Sequence, residues 1–187
     1  MTTRGCRLFL AFILSFLRPK ISITDTSTLY FRVWPFDADF KYMNNSSFWT
    51  IAETGIMDLY FRSGAFKICK KNQWVPLMTS QKMVYRRPLK RFEKFQLKTK
   101  IIYWDGRTIY FNDIFLKNGQ LIANCLIGAV CMGKNGRITP QRFMTALGVS
   151  SSLPYINVIE SSNIIDRYLL NKSETLDSFH NTVKKEQ

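Results

Sequence analysis

The chain reads as an α+β domain in which an antiparallel sheet curls around one central helix. Three observations carry this. One strand-like run, 29–34, comes first and is rich in aromatic and branched residues. A helix apolar on most of its sides follows. A series of strand-like runs joined by tight-turn signals comes after it. Runs of strands with a segregated helix give an α+β layer architecture. A helix that is apolar all round must be covered, and the only large partner available is the sheet.

Each element has its own signal. The first run, Leu29-Tyr-Phe-Arg-Val-Trp34, stops at Pro35. Turn and cap residues fill 37–47, notably Asn44, Asn45, Ser46 and Ser47. The helix is expected from there: Phe48, Ala52, Ile56, Leu59 and Tyr60 recur at helical spacing, and Trp49 and Ile51 widen the apolar face. Gly64 is its expected C-terminal cap. A strand is expected over 74–85, with a break around Pro76. Residues 95–104 alternate early and lead through Asp105-Gly106 into 108–116. Asn118-Gly119 then leads into 121–132. Asp or Asn before Gly between apolar runs is a strong hairpin signal. The segment 133–136 ends this meander, and 139–147 reads as a short helix.

The 187 residues suit one domain with tails. Residues 1–20 carry Arg4 and Arg7 before an apolar stretch closed by Arg18, Pro19 and Lys20. Only about ten residues are apolar, against the roughly 20 that span a bilayer as a helix. This is the pattern of a targeting or membrane-contacting segment. It points to an intracellular protein associated with a membrane, such as that of the ER or a mitochondrion. Residues 21–28 read as a linker, 29–148 as the domain, 149–170 as an extension and 171–187 as a loose polar tail.

Composition narrows the chemistry. Cys6, Cys69, Cys125 and Cys131 form no CxxC pair, and the chain has a single histidine, His180, in the polar tail. A structural zinc site and a histidine triad are therefore not expected, and neither is a cofactor. The net charge is +14, and Lys and Arg far outnumber Glu93 and Asp105 between Arg62 and Arg107. Such a field attracts polyanions. No nucleic-acid motif accompanies it, and the aromatics alternate as a core requires, so no nucleic-acid partner is expected.

The segment Pro35-Phe-Asp-Ala-Asp-Phe-Lys-Tyr-Met-Asn-Asn45, between a strand and a buried helix, resembles the hot-dog thioesterases. The closest group is the 4-hydroxybenzoyl-CoA thioesterase-like family, with its eukaryotic thioesterase-superfamily members. Tyr85-Arg-Arg-Pro-Leu-Lys-Arg-Phe92, the Trp104-Asp105 pair and Gly136-Arg-Ile-Thr-Pro140 agree, so the resemblance spans 29–148. It implies hydrolysis of acyl-CoA or acyl-carrier thioesters in lipid metabolism. It also implies a homodimer or dimer of dimers that builds its acyl site at the interface.

The resemblance places the catalytic carboxylate at Asp39. A carboxylate can deprotonate water or attack the thioester directly. Asn45, Ser46 and Ser47 would then supply oxyanion donors at the helix start. Glu53, on the helix, is a weaker second candidate. Arg86, Arg87, Lys90 and Arg91 are candidates for the CoA phosphates. Relatives often carry His where this chain has Tyr42, and Tyr titrates near pH 10. That departure keeps open a non-catalytic acyl-binding or interaction protein. A basic membrane-surface or nucleic-acid binder is a third alternative.

Overall fold

The computed structural model describes residues 17–149 together with Gly5, Ile13 and Ser15. The tail with His180 and the cysteine at position 6 lie outside them. So do the expected extension beyond Val149 and most of the apolar segment 1–20.

Strand β1 (Ser27–Arg32) leads through a 3₁₀ turn (Pro35–Asp37) into a two-strand hairpin, β2 (Ala38–Asp39) and β3 (Tyr42–Met43). Helix α1 (Asn45–Arg62) and the short α2 (Ala65–Asn72) follow. Then come β4 (Val75–Tyr85), β5 (Lys94–Trp104), β6 (Ile109–Lys117), β7 (Gln120–Gly133), β8 (Gly136–Ile138) and α3 (Pro140–Ala146). The main sheet has the order β1-β5-β6-β7-β4, with β8 added beside β7. Every described pairing is antiparallel. The sheet wraps α1, as the apolar helix requires. Ile51, Ala52, Ile56, Leu59 and Tyr60 of α1 are buried in one core with Leu97, Phe111, Phe115 and Ile127 of the sheet.

The contact is tight at Gly55. A Cβ there would collide with Thr99 Oγ1 and Leu97 Cδ2, so the helix backbone itself rests on β5. Glycine is the residue that permits this approach.

Several expectations need correction. β4 runs unbroken through Pro76, which pairs with Cys131. It is an edge strand, the one place in a sheet where proline's missing N–H costs no ladder bond. Gly64 does more than end α1: at φ 80 it also starts α2, an eight-residue helix whose two buried residues are Ala65 and Cys69. So short an apolar signal does not stand out by periodicity. Residues 133–136 turn back into β8. The Asn118-Gly119 turn has both residues at positive φ, as a tight hairpin demands. The Asp105-Gly106 turn is built differently. Trp104 pairs with Ile109, and Asp105 Oδ1 accepts from Arg107 N–H (2.6 Å) and Thr108 N–H (2.7 Å). There the aspartate side chain shapes the turn, with no left-handed glycine.

Residues 18–28 pack as part of the domain. Ile23 belongs to the core, and Asp58 of α1 is fully buried. Its carboxylate accepts from Arg18 Nη1 (3.0 Å), Arg62 Nη1 (3.2 Å) and Ser27 Oγ (2.6 Å). Arg62 Nε also donates to Pro19 O at 2.9 Å. A buried carboxylate is tolerated only when paired and hydrogen-bonded, so it holds this segment against α1 and β1. Among the described residues no helix is long and apolar enough to cross a membrane.

Candidate active site

The site is assembled at the N-terminal end of α1. Asp37 and Asp39, two residues apart, have opposite fates. Asp37 is buried: Oδ2 accepts from Trp34 N–H (3.0 Å) and Oδ1 from Ser47 Oγ (3.2 Å). Its carbonyl takes Asn44 N–H at 2.9 Å. It joins strand, turn and helix. Asp39 sits on β2 with its side chain exposed, and its Oδ1 accepts from Asn44 Nδ2 at 3.3 Å.

Asn44 is the N-cap of α1, with its Oδ1 accepting from Ser47 N–H at 2.9 Å and from Ser46 Oγ at 2.8 Å. The first N–H groups of a helix have no partner within the helix. Asn44 satisfies that of Ser47, so Ser47 is removed from the expected donor set. Among the described residues the N–H groups of Asn45 and Ser46 are left at the helix start, where the dipole favours negative charge. Asp39, Tyr42, Met43, Asn44, Asn45 and Ser46 line one open concavity of about 540 Å³. One expected carboxylate and two expected donors thus share a wall. Asn44 was not among the expected site residues. Its signal lay in the Asn-Asn-Ser-Ser capping run, where the cap position had not been separated from the first helical turn.

Glu53 lies half-buried on α1, outside the residues that line this concavity, and it is engaged in an interaction of its own. Tyr42 is partly exposed in the concavity wall, with Lys41 Nζ 5.9 Å from its ring centroid.

The basic loop after β4 divides in two. Arg86 and Arg87 donate their backbone N–H groups to Ile122 O (2.7 and 3.1 Å). Arg87 Nη1 also donates to Gln120 Oε1 (2.8 Å). With Lys117 and Asn118, Arg87 lines a second concavity of about 340 Å³. Lys90 and Arg91 are held on the Asp39 hairpin instead. Tyr42 bridges to Lys90, Met43 N–H donates to Leu89 O (2.8 Å), and Arg91 N–H donates to Lys41 O (3.1 Å). Glu93 steadies this half: its carboxylate accepts from Lys90 N–H (2.9 Å) and Lys117 Nζ (2.6 Å). Burial pushes its pKa up, but the hydrogen bonds and positive charges of Lys117 and Lys90 together outweigh it and hold the pKa below the usual value.

Behind the helix start lies an aromatic cluster. Phe48 of α1 meets Tyr85 and Phe115 edge-on at 5.2 and 5.1 Å, and Phe95 stacks on Phe115 at 6.1 Å. One layer deeper, Thr99, Asp113 and Cys125 stand side by side across β5, β6 and β7. Asp113 is fully buried; Thr99 Oγ1 donates to its Oδ1, and its Oδ2 has no partner among the described residues. Burial outweighs the hydroxyl and pushes this carboxyl up to about 8. The aspartate also raises the pKa of the Cys125 thiol beside it, on top of the larger effect of burial.

The sequence profile of the thioesterase-like superfamily matches residues 33–160. Protein THEM6 of Drosophila melanogaster is 25% identical over 117 residues, covering 62% of this chain and 58% of the fly protein. The chain spans about half the length of the curated relatives it matches. Solved structures share the fold. A Staphylococcus aureus protein in complex with CoA aligns with a TM-score of 0.60 at 14% identity, over 74% of this chain and 92% of that one. A 1,4-dihydroxy-2-naphthoyl-CoA thioesterase from Synechocystis aligns with a TM-score of 0.58 at 14% identity, over 70% of this chain and all of that one. Both are hot-dog folds, and so is this chain: a curled antiparallel sheet around a central helix.

Proposed function

We propose that this chain, which belongs to the thioesterase-like superfamily, hydrolyses acyl-CoA thioesters at the concavity beneath Asp39. The observation that carries the proposal is the pairing of one exposed carboxylate with the two helix-start N–H groups of Asn45 and Ser46. Asp39 takes a proton from water, and the resulting hydroxide adds to the thioester carbonyl. The oxyanion that forms is received by the Asn45 and Ser46 N–H groups, which need no reorganisation. Collapse breaks the C–S bond, the thiolate takes up the proton, and a fatty acid and CoA leave.

The similar Staphylococcus aureus protein was solved with CoA. In this chain Arg86, Arg87, Lys90 and Arg91 are the groups suited to the CoA phosphates, since guanidinium groups bind phosphate in bidentate fashion and an ammonium binds it as a point charge. Lys90 and Arg91 are fixed against the Asp39 hairpin itself. Release of free CoA from acyl-CoAs of graded chain length is the direct assay. Saturable turnover is expected. Binding of acyl-CoA without turnover would favour the second reading, a non-catalytic acyl-binding protein. Tyr42 supports that reading, because it stands in the concavity at the position where the family resemblance implies His.

The same proposal includes a homodimer paired along β4. This 11-residue edge strand leaves Val75, Leu77 and Met78 exposed. Long apolar edges are templates for pairing with another chain. Sedimentation of the parent should give twice the 21.9 kDa chain mass. The double variant Val75→Lys, Leu77→Lys should sediment as a monomer, because added lysines block edge pairing. A monomeric parent would remove the dimer from the proposal.

A further inference from the structure

At the other side of the sheet from β4, the ends of β1 and β5 meet the Asp39 hairpin. Backbone bonds join them: Phe92 N–H donates to Val33 O (2.7 Å), Val33 N–H to Glu93 O (3.0 Å), and Arg91 N–H to Lys41 O (3.1 Å). Aromatic side chains project from this junction into solvent. Phe40 is 93% exposed, Phe92 55%, Trp34 48% and Tyr42 42%. Two of them are held there against local preference. Phe40 has φ 52 and Phe92 has φ 67. A bulky residue in the left-handed region is an outlier. Phe40 is also the first residue of a two-residue hairpin turn between Asp39 and Tyr42, a position that favours glycine. Folding alone explains neither residue, since exposed phenylalanines add nothing to the core. Such outliers mark surfaces that serve another purpose.

The charges around them have one dominant sign. Arg32 and Lys94 are cross-strand partners at the end of β1 and β5, both exposed, and Lys41 follows Phe40. Two acids lie nearby: Glu93 is already paired with Lys117, and Asp39 beside Phe40 is outnumbered by the three cations. Aromatic rings among lysines and arginines suit the boundary between lipid headgroups and acyl chains. The rings enter the boundary while the long cationic side chains reach back to the headgroups. An anionic leaflet adds electrostatic attraction to each cation.

We infer that the face made by Trp34, Phe40 and Phe92 with Arg32, Lys41 and Lys94 docks on an anionic lipid bilayer. Asp39 lies on the same hairpin, so docking sets the candidate site at the membrane surface. The docking does not depend on turnover, and its test reads lipid binding alone.

The full chain is mixed with phosphatidylcholine vesicles, with or without phosphatidylserine, and floated on a density gradient. The parent should float with the phosphatidylserine vesicles, less so as salt is raised. Bromo-acyl lipids should quench its tryptophan fluorescence, and Trp34→Phe should remove that quenching. The double variant Phe40→Asn, Phe92→Asn should partition at least about tenfold more weakly, the loss expected for two exposed rings that no longer enter the bilayer. Asparagine accepts the left-handed conformation, so this variant should melt no lower than the parent. Equal partitioning of variant and parent would assign vesicle binding to another segment and overturn the inference. Failure of the parent to float would do the same. A changed sedimentation coefficient with unchanged partitioning would make the face a contact between copies, and that also overturns it.

Discussion

Asp39→Asn is expected to lower kcat/KM for acyl-CoA hydrolysis by about 10²–10⁴, the usual contribution of a positioned general base. The substitution is nearly isosteric. Asn44 Nδ2, now 3.3 Å from Asp39 Oδ1, keeps an oxygen to donate to. Asp39 is exposed and takes no part in the core, so the fold should not change. Acyl-CoA affinity, measured by calorimetry, should stay near that of the parent, because the amide removes only the proton acceptor. Glu53→Gln is the companion experiment. Glu53 stands outside the concavity, so its variant should turn over like the parent. The opposite pattern, loss of turnover in Glu53→Gln and none in Asp39→Asn, would move the base onto the helix.

Asp113→Asn is expected to stabilise the protein at pH 8 and to make little difference near pH 4. The folded carboxyl is pushed up to about 8 by burial, whereas an aspartate in the unfolded chain titrates near 3.9. Between these values the unfolded state has released its proton and the folded state still holds it. Stability from this group is therefore complete below about pH 4 and falls by about 1.4 kcal/mol per pH unit as pH rises. The loss reaches about 5 kcal/mol by pH 8 and then levels off. Asparagine cannot ionise, and its carbonyl still accepts from Thr99. Urea denaturation of parent and variant across pH 4 to 9 isolates the effect as their difference. Parallel curves would show that Asp113 carries no such shift.

Much of the fold was present in local pattern. Phe48, Ala52, Ile56 and Leu59 announced α1 by spacing alone, and Asn118-Gly119 announced its hairpin by chemistry. Where local rules failed, the missing information was tertiary. Pro76 looked like a strand breaker because nothing local shows that β4 lies at an edge. The 21–28 segment looked like a linker because its polar residues do not reveal that Ser27 and Arg18 complete the shell of Asp58.

The candidate site divides along the same line. Sequence by itself determined the superfamily, the helix and its capping run, and the presence of two acids just ahead of it. It did not separate them. Asp37 and Asp39 are identical side chains two positions apart, and only packing made one a buried strut and the other an exposed carboxylate. The same holds for Asn44, Asn45, Ser46 and Ser47, whose roles depend on which residue stops being loop and which begins the helix. The basic run 86–91 was one cluster in sequence and became two places in space. Periodicity and capping are properties of neighbours along the chain. Exposure, pKa and shared concavities are properties of neighbours across it, and those exist only once the sheet has closed around α1.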